Sequence, residues 1–346
     1  MRRIALVVGC VGLLMAMLGW ILEPAVFPFA WLAAVTFWIG WPLGCLALLL
    51  VHVLTGGRWG YAIRPYLLAG IGTLPLLVPA VVPILFVLPR LYPWLRADEA
   101  HELANRFYLN APFAAGRACF YLGIWLGLAA LVLRASRRGE PSAVLAAGGL
   151  ILLGLTVTFA AVDATMSLDP HFVSSDYGMI AGAEAGLLAL SVCVLVAALD
   201  GGHLPAVLDD LGKLLLGLLV LWAYLDFMQV LIVWQSDLPH EARWYVERST
   251  RGWGILAGGI AVVHFLLPFF ALISPRLRRS PEGIAFIAAL LVVMVMLREW
   301  WVVLPAGHVS IGWVAIAAML AVAGLSTALA LRRGDSQSLR FRVDHA

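Results

Sequence analysis

Apolar runs of 18 or more residues recur along almost the whole chain. Each is long enough to cross about 30 Å of hydrocarbon as a helix. Backbone polar groups in lipid must be satisfied internally, which such runs do by forming helices. Ten runs can be marked, at 4–22, 28–54, 64–88, 112–133, 143–162, 177–199, 212–235, 252–274, 283–304 and 310–331. Only 12% of the 346 residues are charged, against about 25% in soluble domains. The expected fold is therefore all-α: a polytopic membrane helical bundle of about ten transmembrane helices. Residues 1–333 form the helical domain and 334–346 a short, polar cytoplasmic tail without fixed structure. Pro42, Pro75, Pro79, Pro83 and Pro268 fall inside runs and free backbone carbonyls there, so the third run is the most interrupted.

The N-terminus has a basic start and an apolar core, as a secretory signal has. No small-x-small cleavage site ends the run, and it is long enough to span, so it reads as a retained first helix. Lys and Arg in the connections set the orientation. With the N-terminus inside, fifteen lie on the inner side and six on the outer side, which makes both termini cytoplasmic. A net charge of +3 spread over many connections gives no reason to expect a nucleic-acid partner. Cys10, Cys45, Cys119 and Cys193 all sit in apolar runs and form no CxxC pair. They read as small buried hydrophobes, and neither a metal site nor covalently held haem is expected.

The connection DATMSLDPHFVSSDY, 163–177, carries three Asp, one His and four Ser or Thr but no Lys or Arg. It belongs at the outer face, with the longer connections 89–111 and 236–251. In the first of these, ADEAHELANRFY has the pattern of an amphipathic helix lying at the interface, and the second has the same character. Tyr92, Trp94, Trp244 and Tyr245 suit the headgroup level.

Charges inside the runs are few and expensive, about 2.5–3.5 kcal/mol each on insertion scales. They are Arg117, Glu184, Asp226, His264, Arg298 and Glu299, with Gln229 beside them and Asp163 at a helix end. At a rise of 1.5 Å per residue, Glu184 lies about 10 Å, Asp226 about 13 Å and Arg298 about 9–10 Å below the outer surface. His264 is near the midplane. Trp222, Asp226 and Gln229 share one helix face, while the adjacent Arg298 and Glu299 point about 100° apart. Arg298 is expected to pair with Asp226 or Glu184, leaving the other acid free to titrate. Such a set serves as a static strut, as a water-facing group, or as part of a proton-conducting or quinone-associated site. A lone histidine at mid-depth reads as packing rather than as a haem ligand, because haem b normally takes two axial ligands and His52 and His308 lie near opposite faces.

Four segments share a pattern with one family. FAAVDATMSLDPHFVSSDYG, at the exit of the fifth run, resembles the segment MSLEPHWFST-(I/V)-G of the ActF-like membrane subunit of alternative complex III. That family is the quinol:cytochrome c oxidoreductase quinone-binding subunit 2, within the NrfD-like integral membrane proteins. YLNAPFAAGRACFYLGIW (108–125), DLGKLLLGLLVLWAYLDFMQVLIVWQSDLPHE (210–241) and HFLLPFFALISPRLRR (264–279) resemble further segments of it, in the same order, over roughly residues 60–305. Three places depart from the pattern. Phe172-Val173-Ser174-Ser175 replaces Trp-Phe-Ser-Thr, Asp226 stands where a small residue is usual, and Arg298-Glu299 replaces a single acidic position.

The resemblance implies a multi-pass subunit of a quinol-oxidising complex in the bacterial inner membrane. It would lie in the lipid bilayer beside NrfD-like membrane subunits, with electrons leaving through iron–sulfur and cytochrome c partner subunits because this chain lacks redox ligands. Quinone or quinol is the implied ligand, with no cofactor held covalently. The candidate proton relay is Asp163, Asp169, His171, Glu184, Asp226 and His264, with Arg298 tuning the proton affinity of a nearby acid and Tyr224 and Gln229 adding hydrogen bonds. The alternatives are a secondary transporter and a non-catalytic scaffold or assembly subunit of a respiratory oxidase.

Overall fold

The computed structural model describes residues 1–96, 107–202, 204–236, 238–250 and 252–343, with His240 and residues 333–343 given by backbone alone. Ten helices long and apolar enough to cross a membrane make up the described residues. In chain order the elements are α1 (Arg2–Leu22), α2 (Phe27–Thr55), α3 (Arg58–Ile71), α4 (Leu77–Leu91), α5 (Ala111–Arg138) and α6 (Ala143–Ala164). They continue as α7 (Tyr177–Asp200), α8 (Pro205–Ser236), the short α9 (Pro239–Glu247), α10 (Trp253–Ile273), the short α11 (Pro275–Arg279), α12 (Pro281–Val303) and α13 (Trp313–Val343). Together α3 and α4 make one span. The fold is a polytopic helical bundle, as the run lengths predict.

Local chemistry explains where the helices start and break. Asn110, Ser142 and Ser280 accept hydrogen bonds from the backbone N–H groups of Phe113, Leu145 and Gly283, which caps α5, α6 and α12. Prolines at 112 and 281 occupy the first turn of α5 and α12, where no N–H is needed. The third span breaks at a 3₁₀ turn, Leu74–Leu76, around Pro75. Thr73 Oγ1 there donates to the Gly70 carbonyl at 2.7 Å, satisfying an acceptor at the break. In α10, Ile260–Leu266 widens into a π turn. Pro268 has no N–H to give the carbonyl of His264, which removes the α-helical bond that would tighten this stretch.

Small residues bring the helices close. On α1, Gly9 and Gly12 lie against α13, where an added Cβ would stand 2.6 Å from Leu325 N and 2.5 Å from Ala321 N. Such stripes allow backbones to approach without a hydrophobic driving force. At the centre, α2 packs on α7 through Gly44, whose missing Cβ leaves room for the Ala185 backbone. Gly44→Leu is expected to force α2 away from α7, beside Glu184. Overpacking of this kind costs about 1–3 kcal/mol or more, so a thermal-unfolding scan in detergent should show a clear fall in Tm.

All the connections expected outside meet at one end. Residues from each of them, including Pro24, Arg90, Asp169, Arg243 and His308, line one cleft there. Trp313 Nε1 donates to Glu23 Oε1 at 2.6 Å, tying the start of α13 to the end of α1. At the opposite end, Arg58 pairs with Asp210, Arg64 with Glu140 and Arg278 with Asp209, each within 2.9 Å.

Some expectations change. Tyr92, Trp94 and Trp244 are buried rather than spread at a lipid interface. Trp244 stacks on Phe172 with ring centroids 4.7 Å apart, and Tyr92 donates to the Ala164 carbonyl at 3.0 Å, so these rings cover that end of the bundle. Cys10 and Cys119 are exposed on helix faces, while Cys45 and Cys193 are buried. The backbone of the tail is helical as far as Val343, a continuation of α13. The connection 236–251 does hold a helix, α9. Most of the amphipathic stretch read at ADEAHELANRFY, residues 97–106, lies outside the described residues.

Candidate functional site

Arg298 on α12 is the hub of the intramembrane charges. Its Nη1 donates to Glu184 Oε2 on α7, and its Nη2 donates to Asp226 Oδ1 on α8 at 2.5 Å. The sequence reading gave it one of the two acids; the guanidinium fork takes both. Neither acid stands apart from the arginine. The fork reaches both because its two terminal nitrogens point in different directions, which a lysine could not reproduce. Arg298 and Glu184 are 7% and 5% exposed, and so are buried within the bundle.

The neighbouring Glu299 points toward α2, where Thr36 Oγ1 donates to its Oε2 at 3.1 Å. Three carboxyl groups, those of Glu184, Asp226 and Glu299, thus surround one guanidinium. Ionising all three would leave two uncompensated negative charges in the bundle, which is strongly disfavoured away from water. The cluster therefore has the capacity to hold and release protons.

Behind the hub, Trp222 and His264 extend the polar groups toward mid-depth. The guanidinium of Arg298 sits 5.5 Å from the centre of the Trp222 ring, and the His264 ring stacks on Trp222 with centroids 4.0 Å apart. His264 lies on the π turn of α10 and is fully buried. Among the described residues, both His264 nitrogens, Trp222 Nε1, Arg298 Nε and Glu184 Oε1 are buried without a hydrogen-bond partner. Buried polar atoms are normally satisfied by protein or ordered water.

A cavity of about 270 Å³ lies on the other side of Glu184. Leu32, Leu43, Leu77, Val81, Leu122 and Leu188 contribute to its mainly apolar wall. Thr36, Glu184 and Glu299 border it at one place, and Arg117, Tyr121 and Asp163 at another. Leu85 of α4 and Ala111 and Ala115 of α5 also line it and are exposed, so it opens sideways between those two helices.

Asp163 closes α6 and is gripped by Arg117 of α5. Nε and Nη2 of Arg117 donate to its two oxygens at 2.8 and 2.9 Å, and Tyr121 donates to Oδ2 at 3.0 Å. A third donor of Arg117 reaches the Tyr108 carbonyl at 2.8 Å, and its guanidinium covers the Tyr108 ring at 3.7 Å. Bidentate geometry makes this the strong kind of ion pair. Arg117→Gln alone is expected to destabilise the protein by about 3 kcal/mol, since it strands a partly buried carboxylate. Arg117→Gln with Asp163→Asn should recover much of the loss, as a double-mutant unfolding cycle would reveal.

The candidates thus divide. Glu184, Asp226 and Arg298 are in direct contact, and His264 reaches them through Trp222. Asp163 stands at another part of the same cavity wall. Asp169 and His171 line the separate outer cleft, where Asp169 Oδ1 accepts the backbone N–H of His171 at 3.1 Å. Gln229 is buried and its Oε1 accepts from Ser174 at 3.3 Å, whereas Tyr224 is 58% exposed and points away from the site. Glu299, Thr36 and Tyr121 were missing from the relay as read from sequence. The 100° offset of Glu299 from Arg298 was a usable signal for the first, and the i, i+4 spacing of Tyr121 from Arg117 for the last; nothing near Thr36 in the chain marked it. Searched against models of protein families and against curated proteins, the chain matches none.

Proposed function

We propose that this integral membrane protein is a subunit of a quinol-oxidising respiratory electron-transfer complex in the bacterial inner membrane, related to the ActF-like and NrfD-like subunits. The cavity carries this reading. It is apolar and opens sideways between α4 and α5, and it ends on carboxyl groups. An amphiphilic ring with a lipid tail can enter such an opening from the bilayer, keep its tail in hydrocarbon, and bring its hydroxyl groups to Glu184, Glu299 and Thr36. At about 270 Å³ the cavity suits a ring headgroup rather than a whole molecule, since sites that enclose an entire ligand start at roughly 300 Å³.

Oxidation of a quinol releases two electrons and two protons. The electrons pass to iron–sulfur and cytochrome c subunits. The protons are taken by the carboxyl cluster around Arg298, which has more acids than counter-charges. From there they move outward through the polar groups beneath the outer connections, with His264 and its neighbours supplying a branch toward mid-depth.

Affinity purification from native membranes tests this reading. Recovery with haem c and iron–sulfur proteins and with quinol-dependent reduction of an acceptor is the expected result. The broken third span and the π turn of α10 also suit a secondary transporter. That reading predicts recovery alone, with a saturable small solute and no quinol activity.

A further inference from the structure

The outer ends of the helices enclose a second, larger cleft of about 760 Å³, walled by the connections after α1, α4, α6 and α12 and by α9. Arg90, Arg96, Arg243 and Arg248 line it together with Asp169 and Glu247. Glu247 is paired with Arg243, while Asp169 keeps its charge and, among the described residues, bonds only a backbone N–H. Asp169 Oδ1 accepts the His171 N–H at 3.1 Å, and Glu247 Oε1 accepts Arg243 Nε at 2.9 Å. His171 and His308 also line it.

Arg248 stands out within this cleft. It is 1% exposed. Its Nη1 and Nη2 donate to the carbonyls of Trp244 and Val302 at 3.0 and 2.7 Å, and its guanidinium lies 3.7 Å over the Trp244 ring. Among the described residues neither of those acceptors is a carboxylate, and Nε is buried with no acceptor at all. A buried cation normally finds a counter-charge. Burial pushes this guanidinium down to about 10, which leaves it charged at neutral pH. Arg90, at the rim, donates to the Pro24 carbonyl at 3.2 Å.

We propose that this cleft binds a phosphate-bearing anion, with Arg248 at its base and Arg90 and Arg243 around it. Arginine forks on different walls suit a tetrahedral group, whose oxygens accept in several directions, better than a planar carboxylate. The cleft sits at the outer ends of the spanning helices, so the phosphate belongs either to an anionic phospholipid headgroup or to a soluble phosphate. The site is separate from the lateral cavity and does not depend on the quinol reading.

The test is thermal unfolding of the full chain in neutral detergent at constant ionic strength. Inorganic phosphate is titrated in one arm, and phosphatidylglycerol against phosphatidylcholine in mixed micelles in the other. A saturable rise in Tm with phosphatidylglycerol only supports the headgroup, and a rise with inorganic phosphate supports the soluble anion. In either arm the Arg90→Gln/Arg243→Gln variant should need at least about tenfold more ligand. Arg248→Gln should abolish the shift; because that change could also impair folding, the rim variant decides. No saturable rise in either arm, or an unchanged midpoint in the rim variant, overturns the proposal.

Discussion

Arg298→Gln is expected to be the most damaging single substitution in the molecule. It removes the only cation among three acids and leaves Glu184 and Asp226 facing each other across the space it occupied. Breaking a buried ion pair by deleting one partner costs about 3–5 kcal/mol, a large part of the 5–15 kcal/mol that holds a typical domain together. The protein should accumulate poorly in membranes and unfold at a lower temperature in detergent. Arg298→Met combined with Glu184→Gln and Asp226→Asn removes the charges together and should restore accumulation, because neutral groups need no counter-charge. Restored accumulation without restored quinol oxidation separates the supporting role of these charges from their role in proton transfer. A triple variant no more stable than Arg298→Gln would mean that charge is not what the site requires.

The second large effect is on turnover. In Glu184→Gln the amide oxygen can keep the bond from Arg298 while its NH₂ takes the place of Oε1, which has no hydrogen-bond partner among the described residues. Assembly should stay normal. Proton acceptance at that position is lost, and positioned acid–base groups contribute about a hundredfold or more to rate. Quinol-dependent electron transfer in the purified complex is therefore expected to fall by about that factor. Normal turnover at normal assembly would make the cluster a static strut and favour the scaffold alternative.

The parts of this account legible in the sequence are those set by run length and helical spacing. Apolar runs gave ten spans because hydrocarbon thickness fixes how many residues cross it. The i, i+4, i+7 spacing of Trp222, Asp226 and Gln229 placed them on one inward face, and depth counting put Glu184, Asp226 and Arg298 at one level, where they meet. Helix neighbours were not legible. Nothing in the spacing of Arg117 and Asp163, 46 residues apart, says that α5 lies against α6 with the two side chains facing. Thr36 meets Glu299 across 263 residues, a contact set by the close approach of α2 to the rest of the core. The burial of Trp94 and Trp244 also depends on how the outer connections fold over the bundle. Composition alone suggested an interface, because the same aromatic residues serve both purposes. The π turn at His264 follows from Pro268, yet a proline in a spanning helix signals a disturbance without fixing its form.

On the proposed function, a quinol from the bilayer reaches the carboxyl groups of α7 and α12 through the gap between α4 and α5. Photoaffinity labelling with an azido-quinone, in native membranes and with peptide mapping, tests this most directly. The account predicts labels on the cavity wall, at or near Leu85, Tyr121 and Leu188, that excess unlabelled quinol suppresses. Labels found only elsewhere on the chain, or labels on these residues that quinol does not displace, would contradict it.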